Sequence, residues 1–336
     1  MQIRNFKYFF QFHRYFFFVT LPVDTGNTGN RCLDLLSDDP CLCNEFFLKL
    51  IAGLLTEAVL NHTNIRTIGL CNCPINMIND MSQKFSCSTD DLFLDFVGIN
   101  HLIWAQKVLL RGKDVTAEAI EKICDASSKE IMANIPEVHY SPEFLRSLGM
   151  IPVSYLKYYY LQPQMLEECL ADSKSKGVRG EVVKGVESEL FTLYQDADLK
   201  EKPEQLARRG GARYSDAACS LIDSIYNNKK DIQVVNVMNS GCNLDLPEDA
   251  VIERNCVIDS NGAHPIQIGH TPLKIRGLLQ NVKAYEQLTI QAAIYGDRDA
   301  ALQALTIHPL VNSAETARLM LNDILSENQA FLPNFA

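Results

Sequence analysis

The amino-acid sequence predicts an α/β fold, and three observations carry that expectation. A helical apolar spacing in residues 48–61 runs into a β-branched stretch at residues 65–70. Two more strand-like stretches follow before residue 116, and the C-terminal half then repeats apolar residues every three and four positions. Helix into strand is the rhythm of a doubly wound sheet, a fold that gathers its ligands at the carboxyl ends of its strands.

The start of the chain follows no such period. Nine of the thirteen residues from Phe6 to Phe18 are Phe or Tyr, interleaved with Lys7, Gln11, His13 and Arg14. Val19-Thr20-Leu21-Pro22 supplies no secretory cleavage site, and Asp24 to Pro40 is rich in the turn formers Gly, Asn and Asp. Residues 1–45 are therefore expected to be a degenerate or disordered segment. No G-x-G-x-x-G follows a strand before Cys71.

From residue 46 the pattern becomes regular. Leu50, Leu54, Leu55, Ala58 and Val59 share a helix face, Ile65 to Leu70 reads as a strand, and Cys71 stands where that strand ends. Pro74 suits the first turn of a helix running toward Phe85. Phe93 to Gly98 reads as a second strand ending at Asn100-His101, and Val108 to Val115 as a third with a turn at Gly112. Cys71 and His101 are thus expected at neighbouring strand ends on one ligand-binding edge. The remainder reads as mainly helical, with helices at Ala217 to Tyr226, Leu273 to Tyr295, Arg298 to Ile307 and Ala314 to Ser326.

Bulk properties narrow the function. A chain of 336 residues with 47% hydrophobic content buries a large core, and a formal net charge of −10 offers no basic stripe for nucleic acid. Eleven scattered cysteines, an odd number, suggest a reduced, cytoplasmic protein. No apolar run reaches the ~18 residues a membrane span needs.

Among candidate site residues, Cys71 thiolate and His101 imidazole both suit a divalent metal, although a buried free cysteine and a core histidine are the plainer alternative. Tyr155, Tyr158, Tyr159 and Tyr160 read as an aromatic core face, from which one phenol near a cation could act as a base. Arg179 lies in the Lys- and Gly-rich stretch Lys174 to Lys184, where a guanidinium suits a phosphate and a solvated charge run is the bland reading.

Ordered motifs go further. Gly69-Leu70-Cys71-Asn72-Cys73-Pro74-Ile75-Asn76-Met77 is followed by Gly98-Ile99-Asn100-His101. Ile151-Pro152-Val153-Ser154-Tyr155-Leu156-Lys157-Tyr158-Tyr159, Arg209-Gly210-Gly211-Ala212 with Tyr214-Ser215, Ile275 to Gln280 and His308-Pro309-Leu310-Val311 come after. This series resembles glycoside hydrolase family 4, in particular its 6-phospho-β-glucosidases, from about Ala52 to the C-terminus. The resemblance implies a partial Rossmann-like nucleotide-binding domain, of which residues 46–73 are a remnant. A mixed α/β, helix-rich catalytic and dimerisation domain follows at residues 74–336, in an architecture like lactate and malate dehydrogenases. It implies NAD and Mn2+ (or another divalent metal) as cofactors, Cys71 and His101 as metal ligands, and Tyr155 as catalytic base. It also implies Arg179, Asn72 and Asn100 as substrate-binding residues, a phosphorylated β-glucoside as substrate, and a homodimer or homotetramer. NAD-dependent members of this family depart from two-carboxylate glycosidase chemistry.

By that resemblance Asn72 stands where α-specific relatives carry an acidic residue, and an amide cannot act as an acid, which points to the β-specific branch, with a structural hydrogen-bonder beside the metal as the alternative. Leu50-Ile51-Ala52-Gly53 departs from the family's Asn-Pro-Ala-Gly, and the glycine-rich nucleotide turn is not found. Little or no hydrolysis is therefore expected of the chain. A catalytically inactive remnant of the family is the alternative function, and an NAD-linked hydroxy-acid dehydrogenase a weaker one.

Overall fold

A computed structural model of the chain describes residues 18–21, 66–125, 140–177, 179–209, 214–311, 313–329 and 332–335. The expected helix at residues 48–61 and nearly all of the segment 1–45 lie outside the described residues.

The elements run β1 (Phe18–Leu21), β2 (Arg66–Gly69), α1 (Cys73–Phe85), β3 (Leu92–Ile99), β4 (Leu102–Leu110), β5 (Lys113–Asp114), α2 (Thr116–Asp125), α3 (Pro142–Leu148) and β6 (Ile151–Pro152). They continue with α4 (Lys157–Tyr160), α5 (Gln162–Lys176), α6 (Arg179–Leu193), α7 (Gln205–Arg209), α8 (Tyr214–Tyr226), β7 (Asp231–Met238), β8 (Val251–Asp259) and β9 (Gly262–Pro265). Three helices close the chain, α9 (Leu273–Tyr295), α10 (Arg298–Ile307) and α11 (Ala314–Glu327). The mixed α/β, helix-rich architecture expected from the sequence is present.

Two sheets form the centre, one of five strands ordered β1-β2-β7-β8-β9 and one of four, β3-β4-β5 with β6 on the other edge of β4. Every strand pairing named here is antiparallel. This corrects one expectation. Cys71 and His101 do not end neighbouring strands of one sheet, because β2 belongs to the five-stranded sheet and β3 to the four-stranded one. A hairpin is the reason: β3 turns at Asn100-His101 directly into β4, with Ile99 opposite Leu102. Gly98 permits the close return. Its φ is +155°, and a Cβ there would lie 2.2 Å from the Leu102 carbonyl oxygen.

β7, β8 and β9 are strands in a region expected to be mainly helical. They place an unusual polar run, Glu253-Arg254-Asn255, in the middle of a largely buried strand. Arg254 and Asn255 tie the two sheets together. The Arg254 guanidinium donates to the Asp95 carboxylate and the Phe96 carbonyl of β3, and at 2.8 Å to the Ile266 carbonyl. The Asn255 amide accepts from Phe96 N–H at 2.8 Å and donates to the Leu94 carbonyl at 2.9 Å. Buried polar groups are tolerated only when paired in this way.

Apolar side chains fill the space around this seam. Leu94, Phe96, Ile103 and Trp104 pack from the hairpin, Val235, Ile252 and Ile258 from the other sheet, and Ile275, Leu279 and Val282 from α9. Each such side chain contributes about 1.5–3 kcal/mol on burial. Trp104 satisfies its indole by donating to the Tyr160 hydroxyl at 3.1 Å. No described helix is long and apolar enough to cross a membrane.

Candidate functional site

The site forms where β2 gives way to α1. Cys71 is fully buried just beyond the strand, and Asn72, 7% exposed, is the N-cap of α1. Cys73 opens the helix with Pro74 beside it, where a missing N–H costs nothing. The Cys71 sulfur accepts from the Cys73 backbone N–H at 3.5 Å.

The hairpin turn brings the second component. His101 adopts a left-handed conformation, φ 62°, a sparsely populated region that persists only where surrounding structure enforces it. Asn100 and His101 are both buried. One ligand atom from each of Cys71, Cys73 and His101 lies within 4.8 Å of the other two. Tyr155 comes from the one-turn 3-10 segment Ser154–Leu156, just after β6 pairs with β4. Its ring lies 4.2 Å from that of His101, tilted by 33°.

Cys71, Asn72, Asn100, His101 and Tyr155 thus belong to two loops and one short turn that converge. Arg179 is the first residue of α6, and its side chain is outside the described residues. The neighbouring tyrosines turn elsewhere: Tyr160 serves Trp104, and Tyr159 faces His308.

Three residues at the site had no role in the sequence reading. Cys73 contributes a second thiol to the cluster. Glu253 lies beneath the turn, its carboxyl pushed up to about 7 by burial and held from rising further by hydrogen bonds from Asn236, Asn100 and the backbone N–H of His101. The Asn236 contact is 3.2 Å. Tyr214, the first residue of α8, has its phenol driven well above the usual range by burial, with Cys71, Cys73, Tyr155 and Glu253 adding to the shift. Burial likewise pushes the Cys71 thiol up, assisted by Cys73 and opposed by His101. A bound cation reverses that preference, since coordination deprotonates a thiol.

Soft thiol and borderline imidazole donors, gathered within one ion's reach, fit a divalent transition metal. A pair of such ligands leaves positions for substrate oxygens.

Residues 96–311 match the family 4 glycosyl hydrolase C-terminal domain. The chain belongs to glycosyl hydrolase family 4. It is 42% identical over 307 residues to a probable 6-phospho-β-glucosidase of Bacillus subtilis, a match covering 90% of this chain and 70% of the relative. The 6-phospho-β-glucosidase of Escherichia coli is 37% identical over 313 residues, with 90% and 69% covered. Among solved structures, the Thermotoga maritima 6-phospho-β-glucosidase with NAD and glucose-6-phosphate superposes with a TM-score of 0.72 at 33% identity. That likeness covers 84% of this chain and 65% of that one. A form of the Thermotoga enzyme with manganese, NAD+ and glucose-6-phosphate gives a TM-score of 0.70 at 32% identity. A family 4 chain is a glycosidase by descent, and the chain spans about two thirds of the length of these relatives.

Proposed function

We propose that this chain catalyses hydrolysis of 6-phospho-β-glucosides, with NAD and Mn2+ (or another divalent metal) as cofactors. The observation that carries the proposal is the convergence of Cys71 and His101 ligand atoms beside the Tyr155 ring. Relatives named for this activity, with structures holding NAD, manganese and glucose-6-phosphate, support it.

In this reading Cys71 and His101 hold the metal. When bound, the cofactors supply a hydride acceptor for C3 of the sugar and a Lewis acid that makes the C2 proton acidic. Tyr155, packed against His101, would take that proton; the aglycone would then leave C1 by elimination, water would add, and the hydride would return to C3, so that the sugar undergoes no net oxidation. Asn72 and Asn100 present amides to the sugar hydroxyls, and Arg179 takes the 6-phosphate as a bidentate partner. No carboxylic acid stands beside Cys71 in the sequence, which suits the β-specific branch.

The deciding experiment incubates purified, reduced protein with a chromogenic 6-phospho-β-glucoside, NAD+ and Mn2+, beside a Tyr155→Phe variant. Slow release that needs NAD+ and Mn2+ and disappears in the variant is expected. Release indifferent to both cofactors, or to Tyr155, overturns the reading. We further infer a cytoplasmic homodimer or homotetramer assembled through the C-terminal helices, where Leu273, Tyr295 and Leu319 are exposed. Light scattering showing a monomer at micromolar concentration overturns that part.

A further inference from the structure

We propose that Cys73 is a third protein ligand at the metal site, and that it gives this chain a two-thiolate, one-imidazole cage selective for zinc-like soft ions. The inference rests on the proposed metal site, but adds a residue and a selectivity that the Cys71–His101 pair does not supply. Three observations carry it. The Cys73 sulfur stands with the Cys71 sulfur and a His101 ring nitrogen in one group whose ligand atoms all lie within 4.8 Å of one another. All three residues are buried, Cys71 at 0%, Cys73 at 4% and His101 at 7% exposure, so a bound ion would be shielded from competing water. Cys73 is also the first residue of α1, placed between the N-cap Asn72 and Pro74, with Cys71 two residues before it.

The geometry is within reach of coordination. Zinc–sulfur bonds of about 2.3 Å put two sulfurs on a tetrahedral ion about 3.8 Å apart, so side-chain movements of about 1 Å close the cage. Alternate residues of a Cys-x-Cys segment on opposite sides of one N-cap residue can both turn inward, because the backbone between them is already bent by Asn72 at φ −85°, ψ −10°. Each thiol gives up its proton on binding, and the cation takes the two electron pairs.

Ligand chemistry then sets the preference. Thiolates select zinc and other soft ions, whereas manganese favours oxygen donors and gains little from a second sulfur. Three protein ligands on a tetrahedral ion leave one open position, where two ligands leave room for two sugar oxygens. Zinc therefore occupies the site more tightly than manganese and in a form less able to seat substrate.

The test uses the full chain, stripped of metal under reductant, titrated with Co2+, Zn2+ and Mn2+ in wild type, Cys73→Val and Cys73→Ser. Co2+ reports sulfur ligation through its thiolate charge-transfer absorption. We expect about half of that absorption to vanish in both variants and zinc affinity to fall at least ~tenfold, the range for loss of a supporting group at a metal site. Manganese affinity should move by less than ~threefold, since Cys71 and His101 remain. Unchanged cobalt absorption and zinc affinity in variants with wild-type circular dichroism overturn the inference. The serine variant keeps a polar side chain of similar size should the valine perturb folding. If wild type binds zinc through Cys73 but no manganese, the manganese reading fails and this inference stands; if it binds manganese and Cys73 is indifferent to zinc, the reverse holds.

Discussion

The Tyr155 ring packs on the His101 ring, centroids 4.2 Å apart and planes tilted by 33°. One contact thus couples the candidate base to a candidate metal ligand that sits in a left-handed turn. Phenylalanine at position 155 keeps the ring and removes only the hydroxyl. We expect Tyr155→Phe to change thermal stability by less than about 1 kcal/mol and manganese affinity by less than ~threefold, while turnover falls about 10²–10⁴-fold, the usual worth of a general base. Calorimetry beside the glucoside assay separates the two. A variant that loses stability and metal affinity in step with activity would make Tyr155 a packing residue.

The sheet-to-sheet seam gives a stability prediction. The Arg254 side chain, 3% exposed, pairs with Asp95, 17% exposed, across two sheets. Replacing it with methionine leaves the largely buried Asp95 carboxylate with the Gln106 amide but no cation, and takes the guanidinium donors from the Phe96, Ile266 and Gln267 carbonyls. Removing one partner of a buried pair costs about 3–5 kcal/mol. Arg146, paired with Glu121 at 55% and 46% exposure, is the control. Arg146→Met should change stability by no more than about 1 kcal/mol. Urea melts of both variants check the contrast, and equal losses would remove Arg254 as the link between sheets.

How far the sequence foretold this arrangement depends on what each residue needs to find its place. Helices α9 and α10 match their expected limits, because their apolar stripes and the stop at Gly296 are local signals; a Cβ at Gly296 would meet the Asn334 carbonyl. The strand before Cys71 and the helix opening at Cys73-Pro74 were legible for the same reason. The hairpin at Asn100-His101 was not. Its second strand, Leu102-Ile103-Trp104-Ala105, is uniformly buried and shows no alternation to distinguish it from a helix segment. Glu253 and Asn255 were missed because three consecutive polar residues inside a strand look like a loop until the partners at Asn236 and β3 are known. Cys73 was quoted in a motif without a role, since spacing alone does not say whether a thiol turns toward its neighbour.

His308 supplies the pH prediction. It is 1% exposed, its ring meets Tyr285 edge-on at 4.5 Å, and its Nδ1 accepts from Leu310 N–H at 3.2 Å. Burial lowers its pKa from 6.5 to about 4. The unfolded chain therefore takes up a proton as pH falls through 6.5, while the folded chain does not until about 4. Stability from this group is complete above 6.5 and is lost as pH falls through that window, by about 3 kcal/mol in all. The difference in unfolding free energy between wild type and His308→Gln, measured from pH 7 to 4, should shift by that amount in the variant's favour. A pH-independent difference would refute it.

Turnover by this chain is expected to be slow. In the proposed reaction, hydride removal from C3 precedes loss of the C2 proton, so turnover would depend on how firmly the nicotinamide is positioned. In the sequence before Cys71 no glycine turn follows a strand to present backbone N–H groups and a helix N-terminus to the pyrophosphate. Leu50-Ile51 also replaces the Asn-Pro of the family's substrate-contacting segment. Positioning is worth as much as ~7–11 kcal/mol of a bimolecular barrier. Losing even about 4 kcal/mol of it lowers the rate about 10³-fold at 1.36 kcal/mol per factor of ten. We therefore expect kcat/KM on a chromogenic 6-phospho-β-glucoside to fall at least ~10³-fold below that of the Bacillus subtilis relative at saturating NAD+ and Mn2+. The metal site is independent of that loss, so manganese affinity should stay within ~tenfold of the relative's. Turnover equal to the relative's would mean that residues before Arg66 cradle the dinucleotide without the glycine turn.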